Sequence, residues 1–281
     1  MSMNLDSSVI NELVEKTLSE DIQNGDITTR NIFKDNKNVV AEVIARESMV
    51  LCGLEIFQAI FNKLTNKVTF TSCEYKDGDE VSAEDTIIKI QCGVIPLLEG
   101  ERSALNILQW LSGIATLTRK FVQKAAPVKV LDTRKTTPGL RVFEKYAVKC
   151  GGGTNHRFGL YDQVLIKDNH IEAAGSISNA MNHVRNNINQ DKKCEIEVKN
   201  LEEVQEAINN KADIIMLDNM SFETIQKSVS LINGKSKIEI SGGITYEKLA
   251  EISKTGADYV SVGALTHSAP AVDISMKITS V

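Results

Sequence analysis

Between Asp132 and His170 the chain reads DTRKTTPGLRVFEKYAVKCGGGTNHRFGLYDQVLIKDNH. This stretch gathers Arg134, Lys135, His156, Arg157, Lys167 and His170 in a protein whose formal net charge is -5. The basic residues stand beside Thr, Pro and Gly, not along one face of a helix. Arginine offers a planar fork that matches a carboxylate or phosphate, and lysine a compact point charge. Several such cations close to Gly-rich backbone make a holder for a small polyanion. The plainer alternative is a solvated loop with ordinary surface charge.

A second set of polar residues follows short apolar runs. Asp132 follows Val-Lys-Val-Leu, Lys167 follows Val-Leu-Ile, and Glu197 lies in Glu-Ile-Glu-Val. Asp218 follows Ile-Ile-Met-Leu, Ser241-Gly242-Gly243 follows Ile-Glu-Ile, and Gly263 follows Val-Ser-Val. If the runs are parallel strands of one barrel, their C-terminal ends share a rim and these residues share a site. Glycine lets a ligand approach backbone N–H groups, so the loops at Gly242-Gly243 and Gly263 suit phosphate; the alternative is that glycine only makes the tight turn. Glu197 and Asp218 suit a hard divalent ion, directly or through water, or sugar hydroxyls. Either could instead pair with Lys167 or Lys199 as a structural ion pair. His156 is ambiguous alone, but Arg157 and Gly151-Gly152-Gly153 beside it favour a substrate loop. His170, His183 and His267 are read as structural.

The elements that must position these residues change character near Pro127. Before it, Val9, Ile10, Leu13, Val14 and Leu18 have helical spacing behind Ser7-Ser8, and Gly25 to Thr29 reads as a polar turn. Val39 to Arg46, Val68 to Tyr75 and Thr86 to Cys92 read as strands, and Leu54 to Leu64 as a helix. A long helix follows from about Ile95 to Ala126, with Gly113 as a candidate break. After Pro127, strands are expected over Val128 to Leu131, Val164 to Ile166, Cys194 to Val198, Asp213 to Leu217, Lys237 to Ile240 and Tyr259 to Val262. Helices are expected over Leu201 to Asn210, Ser221 to Ile232 and Tyr246 to Lys254. The last four strands recur roughly every 22 residues, an even βα repeat. The expectation is an α+β unit followed by an α/β barrel, with a doubly wound open sheet as the alternative. Val272 to Ile278 reads as one more strand, returning to the first unit.

Bulk properties exclude several classes. At 281 residues the chain has room for one large or two ordinary domains. Its acidic balance argues against a general nucleic-acid binder. The five cysteines, Cys52, Cys73, Cys92, Cys150 and Cys194, form no C-x-x-C pair, which speaks against a disulfide framework or zinc site and for a reducing cytoplasm. There is no signal-peptide layout and no apolar run of membrane-span length. P-loop, dinucleotide-fingerprint, H-E-x-x-H and G-x-S-x-G motifs are absent; Gly151 to His156 reads G-x-G-x-x-H.

The sequence resembles the quinolinate phosphoribosyltransferase family over nearly its whole length. The matching motifs are Gly25-Asp26-Ile27-Thr28-Thr29, Glu101 to Asn106, Thr133 to Arg141, Lys145 to Asp162, and Leu165 to Ile171. Glu195 to Val198, Leu217-Asp218-Asn219, Ser241 to Ile244 and Thr266 to Pro270 match as well. The resemblance implies phosphoribosyl transfer from phosphoribosyl pyrophosphate to quinolinate with loss of CO₂, giving nicotinate mononucleotide and pyrophosphate in de novo NAD biosynthesis, with Mg²⁺ required. It implies an N-terminal α/β sandwich over residues 1–107 with the tail 266–281, and an open α/β barrel over 108–265. It implies dimers or hexamers with shared active sites. Carried over residue by residue, Arg134, His156, Arg157 and Lys167 would hold the quinolinate carboxylates, joined by Arg102 from a neighbouring subunit. Lys135, Glu197, Asp218, Ser241, Gly242, Gly243 and Gly263 would line the phosphoribosyl pyrophosphate side. Lys135, Lys167, Glu197 and Asp218 would take part in catalysis, and Glu197 and Asp218 would hold the metal. Lys199 departs from the family pattern. A phosphoribosyltransferase acting on nicotinate and a non-catalytic metabolite sensor are the competing readings.

Overall fold

The computed structural model describes residues 5–71, 74–188 and 192–280. They fall into two compact units: residues up to Arg119 with Val142–Gly152 and the tail from Ser268, and Lys120–Arg141 with Gly153–His267.

The first unit begins with α1 (Ser7–Asp21), which buries Ile10, Val14 and Leu18 at intervals of one helical turn. Its N-cap is Asp6, one residue before the expected serines, because the Asp6 carboxylate accepts the Ser8 amide. The expected polar turn at Gly25–Thr29 instead opens a short helix, α2 (Ile27–Ile32), since Asp26 accepts the Thr28 and Thr29 amides. There follow β1 (Asn38–Ala45), β2 (Met49–Val50), α3 (Leu54–Leu64), β3 (Thr69–Thr71), β4 (Glu80–Val81) and β5 (Thr86–Gly93). The strand expected over Val68 to Tyr75 is present at Thr69–Thr71; residues 72 and 73, Cys73 included, lie outside the described residues. α4 (Val94–Ala125) runs unbroken through Gly113. Gly113 serves packing: a Cβ there would stand 2.1 Å from the carbonyl oxygen of Pro270.

β6 (Lys129–Leu131) leads into the second unit's sheet, but the helix after it, α5 (Arg141–Cys150), lies almost wholly in the first unit. Arg119 ties its end down by donating to the carbonyls of Gly151 and Cys150, and the Tyr146 hydroxyl donates to Asp77.

The second unit continues with β7 (Val164–Ile166), α6 (Asp168–Ala174), α7 (Ile177–Asn187), β8 (Cys194–Val198), α8 (Leu201–Asn209), β9 (Ile214–Asp218) and α9 (Phe222–Ile232). It ends with β10 (Lys237–Ser241), α10 (Leu249–Ile252), β11 (Tyr259–Ser261) and α11 (Ala264–His267). The sheet order is β6-β11-β10-β9-β8-β7, and the pairs are parallel. First strand beside last is barrel closure; β6 and β7 do not pair, so the barrel is open at one seam. That settles the choice against a doubly wound sheet, whose order reverses in the middle. The expected terminal strand forms as β12 (Ile274–Ser280) and pairs antiparallel with β1 in the first unit's sheet, order β12-β1-β5-β3.

Candidate active site

A cavity of 810 Å³ opens in the second unit. All the expected site residues except Arg102 line it: Arg134, Lys135, His156, Arg157, Lys167, Glu197, Asp218, Ser241, Gly242, Gly243 and Gly263. Arg102 sits exposed on α4 in the first unit and is not among the lining residues. Strand periodicity explains the convergence. Alternate residues of a strand face the same side, so Leu165 and Lys167, Met216 and Asp218, Glu239 and Ser241, and Ser261 and Gly263 point inward in pairs. Register places Asp218 directly beside Ser241.

The cationic half is built at the open seam. Thr154 bridges to Leu131 in parallel, so the segment after the three glycines lies along the free edge of β6. Asp132, fully buried at the end of that strand, accepts the Asn155 side-chain amide at 2.5 Å and the His156 backbone amide at 2.9 Å. This delivers Arg157 into the cavity, where its guanidinium donates to the Gln163 carbonyl at 3.3 Å. Burial, then the nearby Arg134 charge, lowers the affinity of Arg157 for its proton, while Glu195 and Asp162 oppose that shift. Two guanidinium groups, one of them substantially desolvated, thus lie near each other in the cavity. Arg141, unmarked by the sequence reading except as part of a motif, links the two arms. It donates to the Thr136 hydroxyl and to the carbonyls of Phe158 and Arg134.

The ring of His156 lines the cavity, but its nitrogens face protein. Nδ1 accepts the Arg157 amide at 2.8 Å, so the ring proton belongs on Nε2. Nε2 lies 3.2 Å from Glu195 and 3.6 Å from Glu239. Both carboxylates are buried, and burial together with the Glu195 charge pushes the Glu239 carboxyl up to about 8. His156 thus stands between the Arg157 amide on one side and the two buried carboxylates on the other. Sequence reasoning missed Glu239 and Glu195; the signal was a carboxylate set among the buried apolar residues of each of two strands.

The other half is glycine and carboxylate. Gly242 and Gly243 have φ of +91° and +56°, and a Cβ on Gly242 would stand 2.3 Å from Asn219 Oδ1. Only glycine fits this turn without strain. Lys135 lies over Gly263, where a Cβ would meet its side chain at 3.0 Å, and its carbonyl accepts the Thr266 hydroxyl at 2.7 Å. Of the two carboxylates, Glu197 is buried and paired with Lys167 at 2.7 Å, which realises the ion-pair alternative. Asp218 accepts from the Asn219 side chain at 2.7 Å and is less buried. Lys199 pairs with the half-exposed Asp168 at 3.0 Å and does not line the cavity. His267, read as structural, does line it.

The donor set fits a hard divalent ion that keeps most of its ligands from phosphate and water. Two carboxylates on neighbouring strands, an amide oxygen and no thiolate are the oxygen-rich surroundings such an ion takes.

Comparison with known proteins is consistent throughout. Sequence models of the quinolinate phosphoribosyl transferase N-terminal and C-terminal domains match residues 26–112 and 114–277. The chain is 42% identical over 272 residues to a protein of Bacillus subtilis named probable nicotinate-nucleotide pyrophosphorylase [carboxylating], covering 96% of this chain and 93% of that one. It is 38% identical over 288 residues to a mitochondrial quinolinate phosphoribosyltransferase [decarboxylating] of Nicotiana tabacum, covering 96% and 82%. The crystal structure of NadC from Streptococcus pyogenes superposes with a TM-score of 0.96 at 43% identity over 100% of both chains.

Proposed function

The chain belongs to the quinolinate phosphoribosyl transferase family, and from that premise we propose how its cavity carries out the reaction. The enzyme transfers phosphoribosyl from phosphoribosyl pyrophosphate to quinolinate and releases pyrophosphate and CO₂, leaving nicotinate mononucleotide for NAD biosynthesis. The observation that supports the site assignment is one cavity lined both by Arg134, Arg157 and Lys167 and by Gly242, Gly243, Asp218 and Lys135.

Quinolinate brings two carboxylates on adjacent carbons. Arg134 and Arg157 hold them, and Lys167 adds a charge that Glu197 keeps in place. The clamp turns the ring nitrogen toward the anomeric carbon of the sugar. The Gly242-Gly243 turn and the Gly263 loop offer backbone N–H groups to phosphate oxygens, while Asp218 and Glu197 hold ribose hydroxyls. As the C–O bond to pyrophosphate breaks, positive charge grows on the sugar and negative charge on the leaving group. Asp218 faces the first and Lys135 the second. Asp218 and Glu197 would also hold Mg²⁺, which supplies charge neutralisation on the pyrophosphate. N-ribosylation leaves a pyridinium, so losing CO₂ from the adjacent carbon gives a carbanion stabilised by that positive nitrogen. Lys167 is the acid placed to protonate it, since both nitrogens of His156 face protein. Positioning and electrostatics do the work, and no nucleophilic side chain is needed.

The protein acts as a homo-oligomer in the cytoplasm, with Arg102 completing the clamp of a neighbouring copy. Ile27, Ile32, Leu160 and Tyr161 are large apolar side chains left exposed, which contact between copies would cover. No helix among the described residues is long and apolar enough to cross a membrane.

The test is a product balance. With Mg²⁺, phosphoribosyl pyrophosphate and quinolinate, the protein should release nicotinate mononucleotide, pyrophosphate and CO₂ in equal amounts. Nucleotide without CO₂, or no nucleotide, would defeat the assignment.

A further inference from the structure

Glu195 is fully buried on β8, is not among the residues lining the cavity, and so cannot touch either substrate. One of its oxygens nonetheless meets both ends of the loop that carries Arg157. Oε2 accepts the Gln163 side-chain amide at 2.9 Å and lies 3.2 Å from His156 Nε2. The loop between is closed on itself: the Arg157 amide donates to His156 Nδ1, and the Arg157 guanidinium donates to the Gln163 carbonyl. Asp162 holds the turn from inside by accepting the Phe158 and Gly159 amides.

We propose that Glu195 is a positioning residue for quinolinate, fixing the His156–Gln163 loop from below so that Arg157 presents its guanidinium to the diacid. Burying a carboxylate is costly unless it is paired and hydrogen-bonded. Its partners here are the two loop ends and the neighbouring Glu239 carboxyl, and it adds an attractive charge to the desolvated Arg157. A residue serving only the barrel core needs no charge, as the register neighbours of Glu195, Leu165 and Ile214, illustrate. The phosphoribosyl half takes none of its residues from this loop, so the effect is confined to one substrate.

The inference rests on quinolinate being the substrate, and the experiment separates the two claims. Calorimetry on the intact protein measures quinolinate and phosphoribosyl pyrophosphate binding for wild type, Glu195→Gln and Gln163→Met. Glu195→Gln keeps the shape but sets an amide donor against loop donors; Gln163→Met removes one of those donors at a less buried position. Both should weaken quinolinate about tenfold or more, the scale of one charge-assisted hydrogen bond. Phosphoribosyl pyrophosphate should bind within about twofold of wild type. If Glu195→Gln does not fold, Gln163→Met decides. Equal loss for both ligands would mean a general structural role, and unchanged quinolinate binding would mean none; either overturns the inference alone. Wild type that neither binds nor turns over quinolinate overturns the functional reading with it.

Discussion

At the scale of single residues, the clamp is a matter of charge and reach. Arg134→Ala should weaken quinolinate by about 1.5–3 kcal/mol, the range for a hydrogen bond to a charged group, and leave phosphoribosyl pyrophosphate nearly unchanged. Calorimetry with each ligand measures this, and equal losses would contradict the two-halved site. Glu239 carries a stability prediction. Its carboxyl holds a proton up to about 8 when folded, against an ordinary 4.5. Between those values the folded state binds more protons than the unfolded, so stability falls as pH rises through that window and levels off above it. Glu239→Gln removes this slope, on the order of a few kcal/mol across the window. Thermal midpoints of the two proteins between pH 5 and 8 should therefore shift in the variant's favour as pH rises; parallel curves would contradict the assignment. The clamp cations were legible in the sequence because arginine and lysine beside glycine are unusual. The partners of His156 were not, since Glu195 and Glu239 come from distant strands and only the barrel brings them under one ring.

At the scale of elements, the Gly242-Gly243 turn is set by geometry with no room for a side chain. Gly242→Ala meets a φ of +91° and Asn219 atoms at 2.3–2.7 Å. It should raise the KM for phosphoribosyl pyrophosphate by about tenfold or more while the KM for quinolinate stays within about twofold, a loss of at least 1.4 kcal/mol on one side only. Steady-state kinetics with each substrate varied in turn measures it, and a shared loss would contradict the placement of the phosphate subsite. The parallel strands were legible because each is a short, mostly apolar run with a polar or glycine residue at or just after its end. The helix expected over Tyr246 to Lys254 was overcalled, since only Leu249–Ile252 is α-helical after the glycine turn. Gly113, a candidate break in the sequence, does not interrupt the helix. A glycine in a helix looks like a weakness in sequence, and only the Pro270 carbonyl lying against it reveals a packing contact. Equally hidden was α5, whose place between β6 and β7 in sequence suggests a barrel helix although Arg119 and Asp77 hold it in the first unit.

At the scale of the whole molecule, the prediction concerns a second copy. Arg102 is exposed on α4 and outside the cavity lining, and we propose that it acts in a neighbour's site. If the protein is a dimer, mixing Arg102→Ala with Arg134→Ala, after dissociation and reassociation and at a quinolinate concentration too low for either variant alone to turn over, gives mixed dimers with one intact site and one doubly damaged site. About a quarter of wild-type activity should return, from half the dimers with half their sites. No recovery despite exchange would place Arg102 outside the partner's site. The family motifs span both units and so made the two-part architecture legible, but a single chain's sequence carries no direct mark of which copy a side chain serves.

The claim on which the rest depends is that the cationic half recognises a diacid. The most direct measurement is kcat/KM for quinolinate and nicotinate in parallel, with phosphoribosyl pyrophosphate and Mg²⁺ saturating. Nicotinate lacks one carboxylate, so its unfilled partner in the clamp should cost at least about 3 kcal/mol, or more than about a hundredfold. A ratio near unity, or a preference for nicotinate, would contradict the diacid clamp while leaving the barrel and its phosphate turn in place.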